Sequence, residues 1–377
     1  MANQLRHSMA VLCLCTVFMF AGPASTEPND GVEGLNEEQQ AFAGRFLQFQ
    51  DDMDEKFFGR AGEINDGNSS DVKETTTNEF ADHYVRVARG DVVEKIGRMI
   101  SRVYEPSSDI QRPTTFGRYY GLDVHAKSPL MGHVHSAIVL QYYPDGAGVM
   151  GGTLNLLKGA AQEEDLEYVK NALDVVFEKH GRDPTPYRYR VCSMSEDAVQ
   201  PKFHRKLACV GASFFGFPMM EVNEENFLFM TEIYAAFISS YMDTLEGRKD
   251  EPYTDEDVAA QEAMRLNWTE DQFFGDPYSS GGITPYEVWG RAFLPPLVKF
   301  YSLAILLSAF GRKQTLLGRI PTGGRPIGSN LGLQLFLQLL SSQPIANLIT
   351  LACGGQQRAR CVAVAYGHDI ETFCCER

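Results

Sequence analysis

The feature that most constrains the fold is a run of strand-forming residues that ends in a tight turn, within residues 121–155. Residues 135–143 are mostly β-branched, apolar or aromatic, and Pro-Asp-Gly follows at 144–146. Proline presets φ and glycine accepts positive φ, so this tripeptide predicts a reversal of the chain. The sequence therefore predicts a β-hairpin, whose returning strand carries Gly151 and Gly152.

Three histidines near this hairpin are the main chemical candidates. A period of two places His133 and His135 on one strand face, and His125 lies on the segment before them. Alternate strand positions can converge on a metal ion. Because no carboxylate follows at ligand spacing, we favour hydrogen-bonded strand histidines and expect no metal.

The same stretch resembles the core of oxygen-dependent coproporphyrinogen III oxidase. The residues at matching positions are Gly121, His125, Pro129, His135, Gly151, Gly152 and Leu156. Further segments match in order, over about residues 82–296: Glu94-Lys95-Ile96-Gly97, His204-Arg205, Gly211-Ala212-Ser213-Phe214-Phe215, Lys249-Asp250-Glu251-Pro252-Tyr253 and Leu294-Pro295-Pro296.

The resemblance implies an α+β fold, in which a large antiparallel sheet is flanked by helices on its faces, and a homodimer. It also implies oxidative decarboxylation of a reduced porphyrin by molecular oxygen, with no metal or organic cofactor. On this basis catalysis is assigned to His135 and Asn155. The residues assigned to substrate binding are His125, His133, Gly151, Gly152, Phe214, Phe215 and Arg291.

Several positions depart from the family pattern. The Asn and Arg that follow the family's histidine are Ala137 and Val139 here, and the Asp of its glycine-rich strand is Asn155. These changes remove charges that a tetracarboxylate macrocycle needs. Asn155 can still form hydrogen bonds to a ring, but an amide cannot act as an anion or a base. We therefore expect the fold to be kept and the parent reaction to be altered.

Two function classes remain. The first is a secreted oxidase or oxygenase that needs no cofactor and uses oxygen on another electron-rich heterocycle, and a light-emitting oxidation is one form of it. The second is a secreted protein that binds a tetrapyrrole or a similar small molecule without turnover. A coproporphyrinogen III oxidase of haem synthesis is a further alternative, which an exported location opposes.

The N-terminus has the layout of a secretory signal peptide. Arg6 precedes an apolar run at residues 9–21, and small residues follow. This run is too short to favour a membrane span. Asn68 and Asn267 are N-glycosylation acceptors. A secreted location permits disulfides, and either a Cys192–Cys209 pair or two buried free thiols fits the sequence.

Composition sets limits on partners and on domain organisation. The formal net charge of −15 opposes nucleic acid or an anionic membrane as a partner. We divide the chain into a signal peptide (1–25), an acidic N-terminal segment with one amphipathic helix (26–79), an oxidase-like domain (80–296) and a divergent basic tail (297–377).

Periodicity and capping signals predict the elements outside the hairpin. A helix is expected to begin at Asn36 with a capping box. Two others are expected around residues 166–177 and 223–247, and strands with a turn are expected at 80–103. The stretches at 187–191 and 208–215 are predicted to be strands.

Overall fold

A long antiparallel sheet, in which seven of the eight strands pair in chain order, forms the centre of the fold. This confirms the α+β class and the large sheet flanked by helices. The computed structural model describes residues 31–104, 113–193, 207–215, 220–273, 284–296, 351–352, 361–366 and 369–374.

The first six strands form a simple meander, and two short strands extend it. The order is β1 to β7, and β8 also pairs with β6. Gly146 has a φ of 83° in the turn between β5 and β6, which confirms the predicted hairpin. The strands are β1 (Ser70–Thr77), β2 (Ala81–Arg89), β3 (Val93–Val103), β4 (Phe116–Ala126), β5 (His133–Tyr142), β6 (Gly148–Leu157), β7 (Ala212–Ser213) and β8 (Met220–Glu221).

Three helices cover one face of the sheet and share its larger hydrophobic core. They are α1 (Glu37–Ile64), α2 (Glu163–Lys179) and α4 (Glu224–Arg248), all at predicted places. Asn36 and Gln39 form the expected capping box at the start of α1. The aromatic stripe of α1 packs into this core, as its helical spacing predicts.

A buried ion pair ties α1 to the sheet. Both carboxylate oxygens of Asp54 accept hydrogen bonds from Arg98 on β3, at 2.5–2.9 Å. The Tyr120 hydroxyl donates to the same carboxylate at 3.1 Å. The Asp54 and Arg98 side chains are only 11% and 10% exposed, so groups of the protein, rather than water, stabilise both charges.

The opposite face carries α5 (Asp255–Trp268), a π-helical turn (Thr269–Phe273) and α6 (Tyr286–Phe293). Residues of α5, α6, β2 and β3 build a second and smaller hydrophobic core here. A capping box of Thr254 and Asp257 fixes the start of α5. The sheet is therefore packed between two helical layers, and the smaller layer covers the candidate site.

The prediction of a strand at 187–191 was wrong, because this stretch lies in helix α3 (Thr185–Ser193). Its alternation of large and charged residues resembles a strand pattern, but the two side chains that are buried, Tyr187 and Val191, are four residues apart. Tyr189, two residues from each, is 73% exposed. Of the stretch predicted at 208–215, only β7 is a strand.

One covalent link and one further sheet complete the described parts. Cys192 at the end of α3 and Cys209 form a disulfide, which resolves the alternatives left by the sequence. In the tail, β9 (Leu351–Ala352), β10 (Cys361–Tyr366) and β11 (Asp369–Cys374) form a three-stranded sheet. None of the helices in the described ranges is long and apolar enough to cross a membrane. The predicted signal peptide lies outside those ranges.

The two glycosylation acceptors lie in different environments. Asn68 is exposed in the turn after α1. Asn267 is half-buried on α5 beside the fully buried Trp268, and the hydroxyl of Thr269 is buried and bonded to the carbonyl oxygen of Arg265 at 2.7 Å. The structure therefore favours Asn68 as the site that carries a glycan.

We expect the chain, made through a secretory pathway, to carry one N-linked glycan, at Asn68. Asn68→Gln should remove the mobility shift that glycosidase treatment causes, and Asn267→Gln should leave it unchanged. A shift that persists in Asn68→Gln and disappears in Asn267→Gln would contradict the assignment.

Candidate functional site

Two neighbouring rows of paired residues place polar side chains on the sheet face that α5 and α6 cover, which we call the polar face. Each row crosses β3, β4, β5 and β6. Side chains in these rows share one face because the strand period is two and each partner lies directly opposite. The rows are Lys95, His125, His133 and Leu157, and Gly97, Asp123, His135 and Asn155.

Asp123 connects the two rows by hydrogen bonds. One carboxylate oxygen lies 3.0 Å from Nε2 of His133, and the other lies 2.7 Å from Nδ1 of His135. Asp123 and His133 are fully buried, and His135 is nearly so. A buried carboxylate is costly unless it is paired, so the two imidazoles account for the placement of Asp123.

His125 differs from its neighbours in its hydrogen bonding. Neither of its ring nitrogens forms a hydrogen bond in the described residues, and the same holds for Nδ1 of His133. The two rings lie close together, with their centroids 4.0 Å apart. Buried polar atoms without partners are rare in native proteins. These nitrogens therefore need an explanation beyond the packing of the sheet.

Aromatic rings of α5 and α6 cover the histidines. The Trp268 ring lies 4.9 Å from His133 and 5.5 Å from His135, between centroids, and Phe293 lies 6.0 Å from His135. Trp289 stacks on Trp268 at 5.3 Å. The indole Nε1 of Trp268 is also buried and lacks a partner among the described residues. The polar face is therefore closed by large flat rings.

Two glycines let α6 approach the sheet this closely. A Cβ on Gly97 would lie 1.8 Å from the carbonyl oxygen of Ala292, and one on Gly121 would lie 2.7 Å from the Phe293 ring. Neither distance is possible for a real side chain, so a residue larger than glycine would displace α6 or Phe293.

Burial decides the charge of the cluster. It lowers the pKa of His125 well below its usual value, and His133 and Lys95 add to this effect. Burial also lowers the pKa of His133, although Asp123 opposes the shift. Burial raises the pKa of Asp123, but the imidazoles of His135 and His133 outweigh it and the pKa is lowered. The cluster therefore combines an ionised carboxylate with neutral His125 and His133 rings.

Two buried basic residues lie at the edge of the cluster. The Lys95 amine donates to the carbonyl oxygen of Leu294, and burial lowers its pKa well below the usual value. Arg265 donates to Glu94 at 2.6 Å and to the carbonyl oxygen of Ala126 at 2.8 Å. These bonds fasten α5 and the residues after α6 to β3 and β4.

Only some of the predicted site residues meet here. His125, His133, His135 and Asn155 lie together on the polar face. Gly151 shares that face, four residues along β6 from Asn155, or about 13 Å. Phe215 stacks at 6.1 Å on Tyr119, which strand pairing places on the polar face in the row of Gly151, away from the histidines. The other predicted residues lie elsewhere: Gly152 is on the opposite face against Ile138, Phe214 is in the larger core, and Arg291 forms an ion pair with Glu74.

Sequence reasoning missed Asp123 and Trp268. Asp123 stands two residues before His125, so strand periodicity alone places both on one face. A carboxylate ligand was expected only after the histidines, whereas Asp123 precedes them. No signal in the sequence indicated that Trp268 would cover the cluster, because that contact joins parts of the chain far apart in sequence.

Asp123, His125 and His133 also form a compact donor group. Each offers one ligand atom, and these atoms all lie within 4.8 Å of one another. No protein-family model matches the chain. The geometry of the polar face is therefore the main indication of function.

Proposed function

We propose that the protein binds a flat, electron-rich heterocyclic molecule at the polar face and oxidises it with molecular oxygen. The observation that carries the proposal is the fixed position of His135. Nδ1 of His135 is hydrogen-bonded to Asp123, whereas Nε2 forms no hydrogen bond in the described residues. The His135 ring lies beside the rings of Trp268 and Phe293, so an imidazole nitrogen and two flat aromatic rings are neighbours.

This combination supports a small-molecule site. Such sites are mostly apolar and aromatic, with a few fixed polar groups that orient the ligand. Asn155, which pairs with His135 across the strands, adds an amide that can donate and accept hydrogen bonds. Phe293 lies against Gly121, so its ring occupies space that a planar ligand would need. Entry of a ligand therefore requires α6 to move.

The reaction class comes from the resemblance to coproporphyrinogen III oxidase. His125, His135, Gly121 and Gly151, which carry that resemblance, share the polar face. We accordingly propose that the sheet is of the coproporphyrinogen oxidase type and that the substrate has changed. Asn155 favours binding without turnover as the second candidate, because its amide replaces the family's carboxylate.

The test begins with the mature chain, purified from a secretory host, whose absorbance and emission are recorded. It is then mixed under air with coproporphyrinogen III and, separately, with porphyrins and bilins. Oxygen uptake with a new product supports the oxidase, and red porphyrin fluorescence from coproporphyrinogen III would identify the parent reaction. A spectral shift without turnover supports the binding protein. No shift and no oxygen uptake with any of these compounds would overturn both.

We expect His135→Phe to weaken binding of a heterocycle about 10-fold, because one hydrogen bond of about 1–1.5 kcal/mol is lost. Phenylalanine keeps an aromatic ring at this position but lacks both nitrogens, so Asp123 also loses the hydrogen bond from Nδ1. His180→Phe is the matched control, since His180 lies at the end of α2 and bonds to Glu232. Titrations followed by absorbance should separate the two variants. Equal loss in both would mean that His135 has no specific role.

A further inference from the structure

The geometry points to a binding site for one divalent transition-metal ion, held by Asp123, His125 and His133. The three residues come from β4 and β5 and lie at the centre of the sheet. This inference does not depend on the proposed heterocycle, because the donor group exists without it. Three observations support it, namely the unpaired nitrogens, the spacing of the donors and their surroundings.

The first observation is that buried imidazole nitrogens lack hydrogen-bond partners. A neutral imidazole has one donor and one acceptor nitrogen, and His125 satisfies neither in the described residues. His133 keeps one nitrogen unsatisfied as well. A buried polar group without a hydrogen-bond partner destabilises the folded protein. An ion that accepts a lone pair from each ring would convert a destabilising placement into a favourable one.

The second observation is the spacing of the possible ligand atoms. Ligand atoms at about 2.1 Å from one ion lie roughly 3.0 to 4.2 Å apart, depending on their angle. One atom from each of the three residues lies within 4.8 Å of the other two. Side-chain shifts of less than an ångström would therefore bring all three onto one ion.

The third observation concerns the residues that surround the three possible ligands. Metal-bound side chains usually have outer partners that orient them, and His135 holds the second carboxylate oxygen of Asp123 at 2.7 Å. Trp268 presents a buried indole N–H with no partner among the described residues, next to the His133 ring. A water or another oxygen ligand on the ion would give this donor an acceptor. The indole N–H is thus a buried donor beside the proposed ligands, and the described residues supply no acceptor for it.

The donor set limits the identity of the ion. Two imidazoles and one carboxylate suit zinc, iron, cobalt or manganese. Magnesium and calcium prefer oxygen ligands and are disfavoured by the two nitrogens. Two histidines, one carboxylate and open positions also form the set that mononuclear iron oxygenases use. The site is therefore suited to a redox-active ion as well as to zinc.

The test uses the full mature chain, stripped with a chelator and then titrated with Zn²⁺ or Co²⁺ alone. We expect one ion per chain by elemental analysis, a visible Co²⁺ spectrum, and a Tm rise of about 4–5 °C at a 100-fold excess over Kd. His125→Phe should lower the affinity more than 100-fold, since even loss of an outer partner costs 10–100-fold. The metal-free variant should be no less stable than the metal-free parent, because an unsatisfied polar ring has been removed.

His180→Phe is again the matched control and should bind metal like the parent. If His125→Phe does not fold, His125→Gln provides the same test with a smaller change in polarity. A parent protein with no saturable Tm shift and no Co²⁺ spectrum overturns the inference, as does a His125 variant with unchanged affinity. Because no heterocycle is present in this experiment, its result is separate from that of the proposed function.

Discussion

Replacing Asp54 by alanine is expected to lower the free energy of unfolding by about 3–5 kcal/mol. The change removes the carboxylate but leaves Arg98 buried without its partner. The phenolic hydroxyl of Tyr120 loses its acceptor as well. Urea denaturation, followed by circular dichroism, measures the effect as a lower midpoint at an unchanged slope.

The control for Asp54→Ala is an exposed acidic residue on the same helix. Glu63 is paired with Arg60 but is 71% exposed, so Glu63→Ala should change stability by less than about 1 kcal/mol. The double replacement Asp54→Leu with Arg98→Met removes both charges and should be milder than Asp54→Ala. If Asp54→Ala were as mild as Glu63→Ala, the pair would not be buried as described.

Replacing Gly97 by alanine is expected to lower the free energy of unfolding by about 3 kcal/mol, because the new methyl group collides with the backbone of α6. The collision involves the carbonyl oxygen of Ala292, which no change of side-chain rotamer can relieve. Displacement of α6 should also expose Trp289 and Trp268, which are the only two tryptophans of the chain. A red shift in tryptophan emission at temperatures below Tm would report this movement.

Gly44→Ala provides the matched control for Gly97→Ala. Gly44 lies inside α1, and no atom of the described residues lies within 4 Å of the place that the new methyl group would take. The same substitution should therefore raise stability by about 0.5–1 kcal/mol. Effects of the same sign and size at both positions would show that the contact between Gly97 and α6 does not limit stability.

The sequence predicted the frame of the fold where local signals were strong. The capping box at Asn36 and the turn that contains Gly146 both act through neighbouring residues, and both were confirmed. The prediction of a strand at residues 187–191 was wrong because large and charged residues alternate there, which imitates the pattern of a strand. The burial of Tyr187 and Val191 follows the helical period, and only tertiary contacts reveal it.

The candidate site could be predicted only along the strands. Strand periodicity placed His133 and His135 together, and it would also have placed Asp123 beside His125. The pairing of β4 with β5 and the cover provided by Trp268 and Phe293 depend on contacts between distant parts of the chain. Phe214 shows the limit of assignment by resemblance, since it lies in the core on the other face.

The strictly sequential pairing of β1 to β6 has a consequence for biosynthesis. Each strand finds its partner next to it in the chain, so the sheet can assemble as a growing series of hairpins with short loops to close. The cover over Asp123 and the histidines comes from α5 and α6, more than a hundred residues later. During synthesis, the polar face is therefore open to solvent and small ions until residues 255–293 have emerged and docked.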